Sequence, residues 1–310
     1  MNVVETRDLT KLYGDVHALD GVTLTVPEGS VFGFLGPNGA GKTTMLRVLL
    51  GLARPTSGGA TIFGHDVQSE RDAVHARVGF LPDVPGFYPW MTGAEFLRFA
   101  GSLFGIPEPT LTERAHALLE MAGLAGNPNP VGGYSRGMKQ RLGIAQALIN
   151  APDLLVLDEP TSALDPLGRA DVLTMIGSLR GRTTVLFSSH LLGDVERICD
   201  QVAVLDRGRL VVQGSVAELR RAHGGSTTVR IAVTEGIDRV VAAVAAEPWC
   251  VRHAPVVDDG QATDVVVSDL AAARRAVPGI VAGLGVGLRR FAELEASLEE
   301  VFVGLVGVHR

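Results

Sequence analysis

Cysteine is nearly missing from this chain: Cys199 and Cys250 stand far apart, with no neighbouring histidine or cysteine to complete a site. Neither a disulfide framework nor a cysteine-based zinc site is indicated, and a reducing compartment fits. Lysine is scarce too, confined to Lys11, Lys42 and Lys139 among 28 basic residues, and the formal charge is −6. That balance argues against a nucleic-acid-binding surface as the main business of the protein, so no nucleic-acid partner is expected. No uncharged apolar run approaches the ~18 residues needed to cross a bilayer. The opening Met-Asn-Val-Val-Glu-Thr-Arg-Asp lacks the basic-then-apolar pattern of a signal peptide. The expected location is the cytoplasm, and action at a membrane requires another chain to cross it.

What is present reads as globular. With 310 residues, 46% of them hydrophobic and 20% charged, the chain suits one large and one small domain, and 38 glycines ask for tight turns or loops that approach phosphate. Short β-like pieces from Val3 to Val26 precede a compact apolar strand, Val31 to Leu35, a glycine-rich turn, and a helix over Lys42 to Leu52. A middle block, about 84–150, carries helical spacing at Gly93 to Phe104, at Leu111 to Ala122 and beyond Ser135. Leu154 to Leu157 reads as a buried strand delivering Asp158 and Glu159, and Thr183 to Ser188 as another delivering His190. The small, flexible run His223-Gly224-Gly225 marks the expected boundary between domain 1–223 and domain 224–310. The second domain reads as strand Thr227 to Val233, helix Asp238 to Ala246, strands Cys250 to Val257 and Thr263 to Ser268, helix Leu270 to Ala276, and strand Ile280 to Phe291. That order is a small α+β, ferredoxin-like plan. An amphipathic helix over Ala296 to Val306 closes the chain.

Gly36-Pro37-Asn38-Gly39-Ala40-Gly41-Lys42-Thr43-Thr44 satisfies the spacing of a phosphate loop, and it lies between a predicted strand and a predicted helix as that motif requires. Glycines let successive N–H groups turn toward the β- and γ-phosphates, and the helix adds its positive end. Lys42 supplies a mobile positive charge, and Thr43 is placed to set its hydroxyl on Mg²⁺. Asp158 suits the metal shell, through water, and Glu159 the attacking water. Two acids at a strand end are also common helix caps; the loop at Gly36 weighs toward chemistry.

Three further motifs fall in one order, and with them the chain resembles the nucleotide-binding subunit of ATP-binding-cassette transporters. Tyr134-Ser135-Arg136-Gly137-Met138 resembles that family's Leu-Ser-Gly-Gly-Gln segment, with Tyr134 and Arg136 replacing leucine and glycine in a manner closer to drug- and polysaccharide-exporting members, including the daunorubicin-resistance type. The resemblance implies an α/β P-loop NTPase fold of the ABC ATPase type, with a RecA-like core, an antiparallel β subdomain and a helical subdomain. It further implies ATP and Mg²⁺ as cofactors and a head-to-tail homodimer in which Ser135 and the Gly137 amide cap the γ-phosphate bound to the other copy. Ser162-Ala163-Leu164-Asp165 resembles the loop that couples the two sites, His190 the histidine that contacts the γ-phosphate, and Tyr13 the aromatic that stacks on adenine. Each residue has a plainer alternative: a helix cap for Ser135, a structural histidine at a strand end, a turn tyrosine at Tyr13.

One departure touches the metal. Family members usually carry glutamine where this chain has Asp83; a carboxylate still reaches a metal's outer shell but donates no hydrogen bond as an amide does. Next to Asp83, Phe87, Tyr88, Trp90 and Met91 crowd aromatic and apolar groups into a loop, open between local packing and a groove for a transmembrane permease. The end of the chain, Ala296 to Phe302, resembles exporter ATPases as well. The resulting expectation is an exporter ATPase, peripheral on the inner face of the membrane beneath a separate permease. Two alternatives remain at this point: a soluble ABC ATPase for DNA repair, translation or cofactor assembly, and a regulatory protein whose C-terminal domain senses a ligand.

Overall fold

Every side chain of Val31–Leu35 and Leu154–Leu157 is buried, as expected of parallel strands covered on both faces. In the computed structural model, which describes residues 1–223, 227–256 and 258–294, contacts divide the chain into two units, Met1–Val216 and Ala217–Arg310.

The first unit opens with β1 (Asn2–Tyr13), β2 (Val16–Val22) and β3 (Thr25–Pro27). Then β4 (Val31–Leu35) and α1 (Lys42–Leu49) intervene before β5 (Ser57–Ile62) and β6 (His65–Asp66) complete an antiparallel layer around β1. Next come α2 (Arg71–His75), β7 (Val78–Leu81), and the helical block α3 (Gly93–Ser102), α4 (Glu108–Met121) and α5 (Arg136–Ala147). The alternation returns with β8 (Leu154–Leu157), α6 (Pro166–Gly177), β9 (Thr184–Ser189), α7 (Leu192–Ile198), β10 (Gln201–Asp206) and β11 (Arg209–Ser215); α8 (Val216–His223) starts at the last residue of this unit and otherwise belongs to the second.

These strands make a second sheet in the order β11-β10-β4-β9-β8-β7, parallel except for β11 at its edge. Its register aligns the C-terminal ends: Leu35 pairs with Ser189, Leu157 with Phe187, and Leu81 with Leu157. Ligand sites in such sheets form outside these ends. The main core joins the two sheets through α1, with Phe32, Phe34, Met45, Leu46 and Leu186 fully buried. The helical block begins with a capping box, in which the Thr92 hydroxyl accepts from the Glu95 amide and the Glu95 carboxylate accepts from Thr92 N–H. It rests on β7 through a backbone contact that only glycine permits: a Cβ on Gly79 would lie 1.9 Å from the Ala147 carbonyl oxygen.

The second unit has its own core of Val229, Ile231, Val240, Val244, Val265, Val277 and neighbours. Its elements run β12 (Thr227–Val233), α9 (Ile237–Ala245), β13 (Cys250–Val256), β14 (Asp259–Val267), α10 (Leu270–Gly283) and β15 (Leu288–Leu294), with an antiparallel sheet ordered β13-β14-β12-β15. One sequence expectation is corrected. The strand predicted from Ile280 is helix as far as Gly283, because Ala273, Val277 and Val281 recur four apart and extend one buried stripe past Pro278. The closing helix predicted over 296–306, the Ala296–Phe302 run and Gly224-Gly225 lie outside the described residues.

Candidate functional site

The turn from β4 into α1 makes one wall of a 440 Å³ cleft, lined by Asn38, Gly39, Ala40, Gly41, Lys42, Thr43 and Thr44. Gly39 and Gly41 take positive φ, +82° and +105°, as a backbone wrapping an anion requires. At Gly41 the constraint is doubled, since a Cβ would also meet the Ala18 carbonyl oxygen at 2.3 Å. Gly36 and Pro37 form the root of the loop. Their carbonyls accept from the Lys42 ammonium at 2.7 and 3.2 Å.

The opposite wall comes from neighbouring strand ends. Glu159, after β8, and His190, after β9, line the cleft with Ser162 and Asp83. Lys42 Nζ lies 3.1 Å from Glu159 Oε1, and His190 Nδ1 lies 2.8 Å from Glu159 Oε2. An ionised carboxylate only accepts, so Nδ1 carries the proton in this contact; the neutral ring then presents Nε2 as an acceptor, and only the imidazolium donates from both nitrogens. Glu159 itself sits at φ +48°, a left-handed conformation that costs a non-glycine residue roughly 1–3 kcal/mol and collects at functional sites. The turn is held by its own amide, which donates to Ser188 Oγ at 2.9 Å.

Asp158 is buried below the cleft. Its Oδ1 accepts from Ser188 Oγ at 2.7 Å and from Thr43 Oγ1 at 3.2 Å. A hydroxyl and a carboxylate offer oxygen alone, the donor set of a hard divalent cation that completes its shell with water and phosphate; Thr43 and Asp158 therefore fit Mg²⁺. No group of three or more His, Cys, Asp or Glu is arranged as a metal site among the described residues. At Asp83, burial and then the nearby Asp158 push the carboxyl above its ordinary value, Glu159 adds to this, and Arg136 and His190 pull the other way.

Other predicted site residues lie outside this cleft. Tyr13 ends β1, half exposed, with the Lys11 ammonium 4.7 Å from its ring centroid, and pairs with Val16, which does line the cleft along with His17 and Ala18. Ser135 caps α5, its hydroxyl accepting from Met138 N–H at 3.2 Å; Gly137 lies in the first turn of that helix. Asp165 precedes α6 and makes no side-chain cap bond. None of Ser135, Gly137 and Asp165 borders the cleft of its own chain.

Sequence reasoning missed the supports. Ser188 is wholly buried in β9, a strand whose apolar centre ends in two buried serines, and that polar end on a buried strand was the available signal. Behind it, the wholly buried Asp194 of α7 accepts from Thr161 Oγ1 and from Arg169 Nε, both at 2.6 Å. It ties together the segments after Glu159, after Asp165 and after His190, and no local pattern joins residues so far apart in the chain.

Comparison with known proteins gives the family. The family described as ABC transporter matches residues 19–162. The ABC transporter ATP-binding protein YxlF of Bacillus subtilis (strain 168) is 37% identical over 98% of this chain and 99% of its own length. This chain belongs to the family of ABC transporter ATP-binding proteins. The daunorubicin/doxorubicin resistance ATP-binding protein DrrA of Streptomyces peucetius is 36% identical over 98% of this chain and 92% of its own. Among solved structures, a dimeric bacterial ABC transporter cassette superposes with a TM-score of 0.62 at 26% identity, covering 69% of this chain and 98% of that one. As a member of this family the chain binds and hydrolyses ATP, and the family assignment selects the transporter ATPase over a soluble ATPase of repair or translation.

Proposed function

We propose that the chain is the Mg²⁺-dependent ATPase of an exporter, acting as a homodimer beneath a separate transmembrane permease. One observation carries the mechanism: Glu159, Lys42 and His190 converge at the mouth of the phosphate loop. Gly36 to Thr44 grip the triphosphate through backbone N–H groups and the positive end of α1. Thr43 and Asp158 are assigned to Mg²⁺, which supplies charge neutralisation at the β- and γ-phosphates, with Asp83 in its outer surroundings. Glu159 accepts the proton of the attacking water, and His190 fixes the Glu159 carboxylate through Nδ1.

Placement of Ser135, Gly137 and Asp165 away from the cleft of their own chain supports sites completed by a second copy, as does likeness to a dimeric cassette. Tyr13 is assigned to the adenine end, beside Val16. Export is supported by relatives named for drug resistance. A separate permease is supported by the chain's helices, none of which is long and apolar enough to cross a membrane among the described residues. Its docking site is assigned to a second 440 Å³ groove lined by Phe87, Tyr88, Phe96, Phe99 and Leu103, beside the exposed Trp90. On this reading the chain acts at the cytoplasmic face of the membrane. The nucleotide-binding domain is assigned to 1–223, with its helical subdomain about 84–150, and an accessory domain to 224–310. The four-stranded order β13-β14-β12-β15 supports a ferredoxin-like plan for the latter.

The test is Glu159→Gln. It is expected to bind ATP, to turn over at least about a hundredfold more slowly, and to accumulate as a dimer with ATP. Turnover at the wild-type rate overturns the assignment.

A further inference from the structure

The first turn of α5 contains no acidic residue and begins with Arg136. A cation at a helix N-terminus opposes the positive end of the helix dipole. Arg136 makes no ion pair or side-chain hydrogen bond among the described residues. It borders a 280 Å³ cavity together with Lys139, and the only acid on that cavity's described lining is Asp83. Lys139 has a contact of its own, reaching toward the Gly132 carbonyl at 3.5 Å.

Asp83 has two faces. It lines the cavity with Arg136, and it lines the nucleotide cleft with Glu159 and His190. Two acids, Asp158 and Glu159, act against its charge, and Arg136 is the larger of the two groups that favour it. The intervening frame is tightly packed: a Cβ on Gly143 of α5 would lie 2.5 Å from Leu81 Cδ1, at the end of β7.

We propose that Asp83 and Arg136, which face one cavity without direct ion-pair contact, attract each other across it as a charge pair that sets the N-terminal end of α5 relative to the nucleotide cleft of the same chain. Asp83 is thereby a positioning residue for Ser135 and the Gly137 amide, besides bordering the cleft. The pair rests on the reading that this end of α5 meets the triphosphate held by a second copy. It links the occupant of one cleft to the surface offered to the other. Arg136 lies outside the lining of the nucleotide cleft, so its loss lowers kcat and leaves KM for ATP close to its wild-type value.

The experiment is a double-mutant cycle on the full chain with Mg·ATP, using Asp83→Asn, Arg136→Gln, the double variant and Arg136→Lys. Arg136→Gln is expected to lower kcat about fivefold when Asp83 is present and less than about twofold when it is Asn, as for a partly exposed charge pair. Arg136→Lys keeps most of the rate. The fivefold difference shrinks as salt rises, because a pair open to solvent is screened. The same loss in both backgrounds, a loss indifferent to salt, or a lysine variant as slow as the glutamine one overturns the proposal. ATP-dependent dimerisation, measured in a Glu159→Gln background, provides a second readout for variants whose turnover is too slow to compare. If Glu159→Gln alone fails to dimerise with ATP, the dimer reading fails; if it dimerises and the Arg136 effect ignores Asp83, only the pair fails.

Discussion

Asp194→Ala offers the most direct measure of what holds the loops of the candidate site together. The carboxylate is wholly buried and accepts two bonds of 2.6 Å, from Thr161 Oγ1 and Arg169 Nε. Its removal strands a guanidinium and a hydroxyl. Breaking a buried pair by deleting one partner costs about 3–5 kcal/mol. The Arg169 side chain is 35% exposed, so water re-solvates part of it and the lower end, about 3 kcal/mol, applies. At about 2–4 °C per kcal/mol for a unit of this size, the expected fall in Tm is about 6–12 °C. Asp194→Asn retains the shape and one acceptor, so it costs about 1–2 kcal/mol. Arg169→Ala leaves a buried carboxylate with Thr161 alone and costs about as much as Asp194→Ala; the double variant then falls well short of the sum. Calorimetry on the full chain, following the transition of the first unit, reads all four. Additive losses, or a fall below about 2 °C for Asp194→Ala, refute the view that this carboxylate is the tie.

Gly41→Ala places a Cβ at φ +105° and 2.3 Å from the Ala18 carbonyl oxygen, a strain of about 1–3 kcal/mol or more. ATP affinity measured by calorimetric titration is expected to fall at least about tenfold, and unchanged affinity contradicts the assigned grip. Asp66 titrates below the ordinary aspartate range because the Ser69 amide and hydroxyl, then the Gln68 amide, donate to it. Its folded pKa is depressed, so its stabilisation is present above the unfolded value and is lost as pH falls through the folded one. The Tm difference between wild type and Asp66→Asn is therefore expected to hold at neutral pH and to close below about pH 4; a gap that persists unchanged into that range contradicts the assignment.

The phosphate loop was legible because its requirements are local: an apolar strand, glycines at the turn and a helix start within a single run. The acids after β8 were legible for the same reason, since four buried residues ending in Asp158-Glu159 mark a strand tip. Ser188 and Asp194 were not, because their partners Asp158, Thr161 and Arg169 come from other elements, and spacing says nothing of distance between strands. The strand expected from Ile280 was misplaced because packing of Val277 and Val281 against the second core carries α10 through Pro278 to Gly283. The left-handed turn at Glu159 had no sequence mark at all, glycine being absent there.

Aligned strand ends have a consequence for how such a protein diversifies. The phosphate loop, His190, the two acids and Asp83 follow the tips of four adjacent strands, β4, β9, β8 and β7. Backbone pairing across the sheet sets their spacing, and the length of the chain between them does not. The chain from 84 to 153 leaves at one tip and returns to the foot of its neighbour, so its outer part, α3 and α4, can be lengthened, shortened or resurfaced without displacing the groups at the strand tips, while α5 stays tied to the sheet by its close contacts with β7. Variation in that excursion thus leaves the strand-tip groups where the hydrogen-bond ladder keeps them.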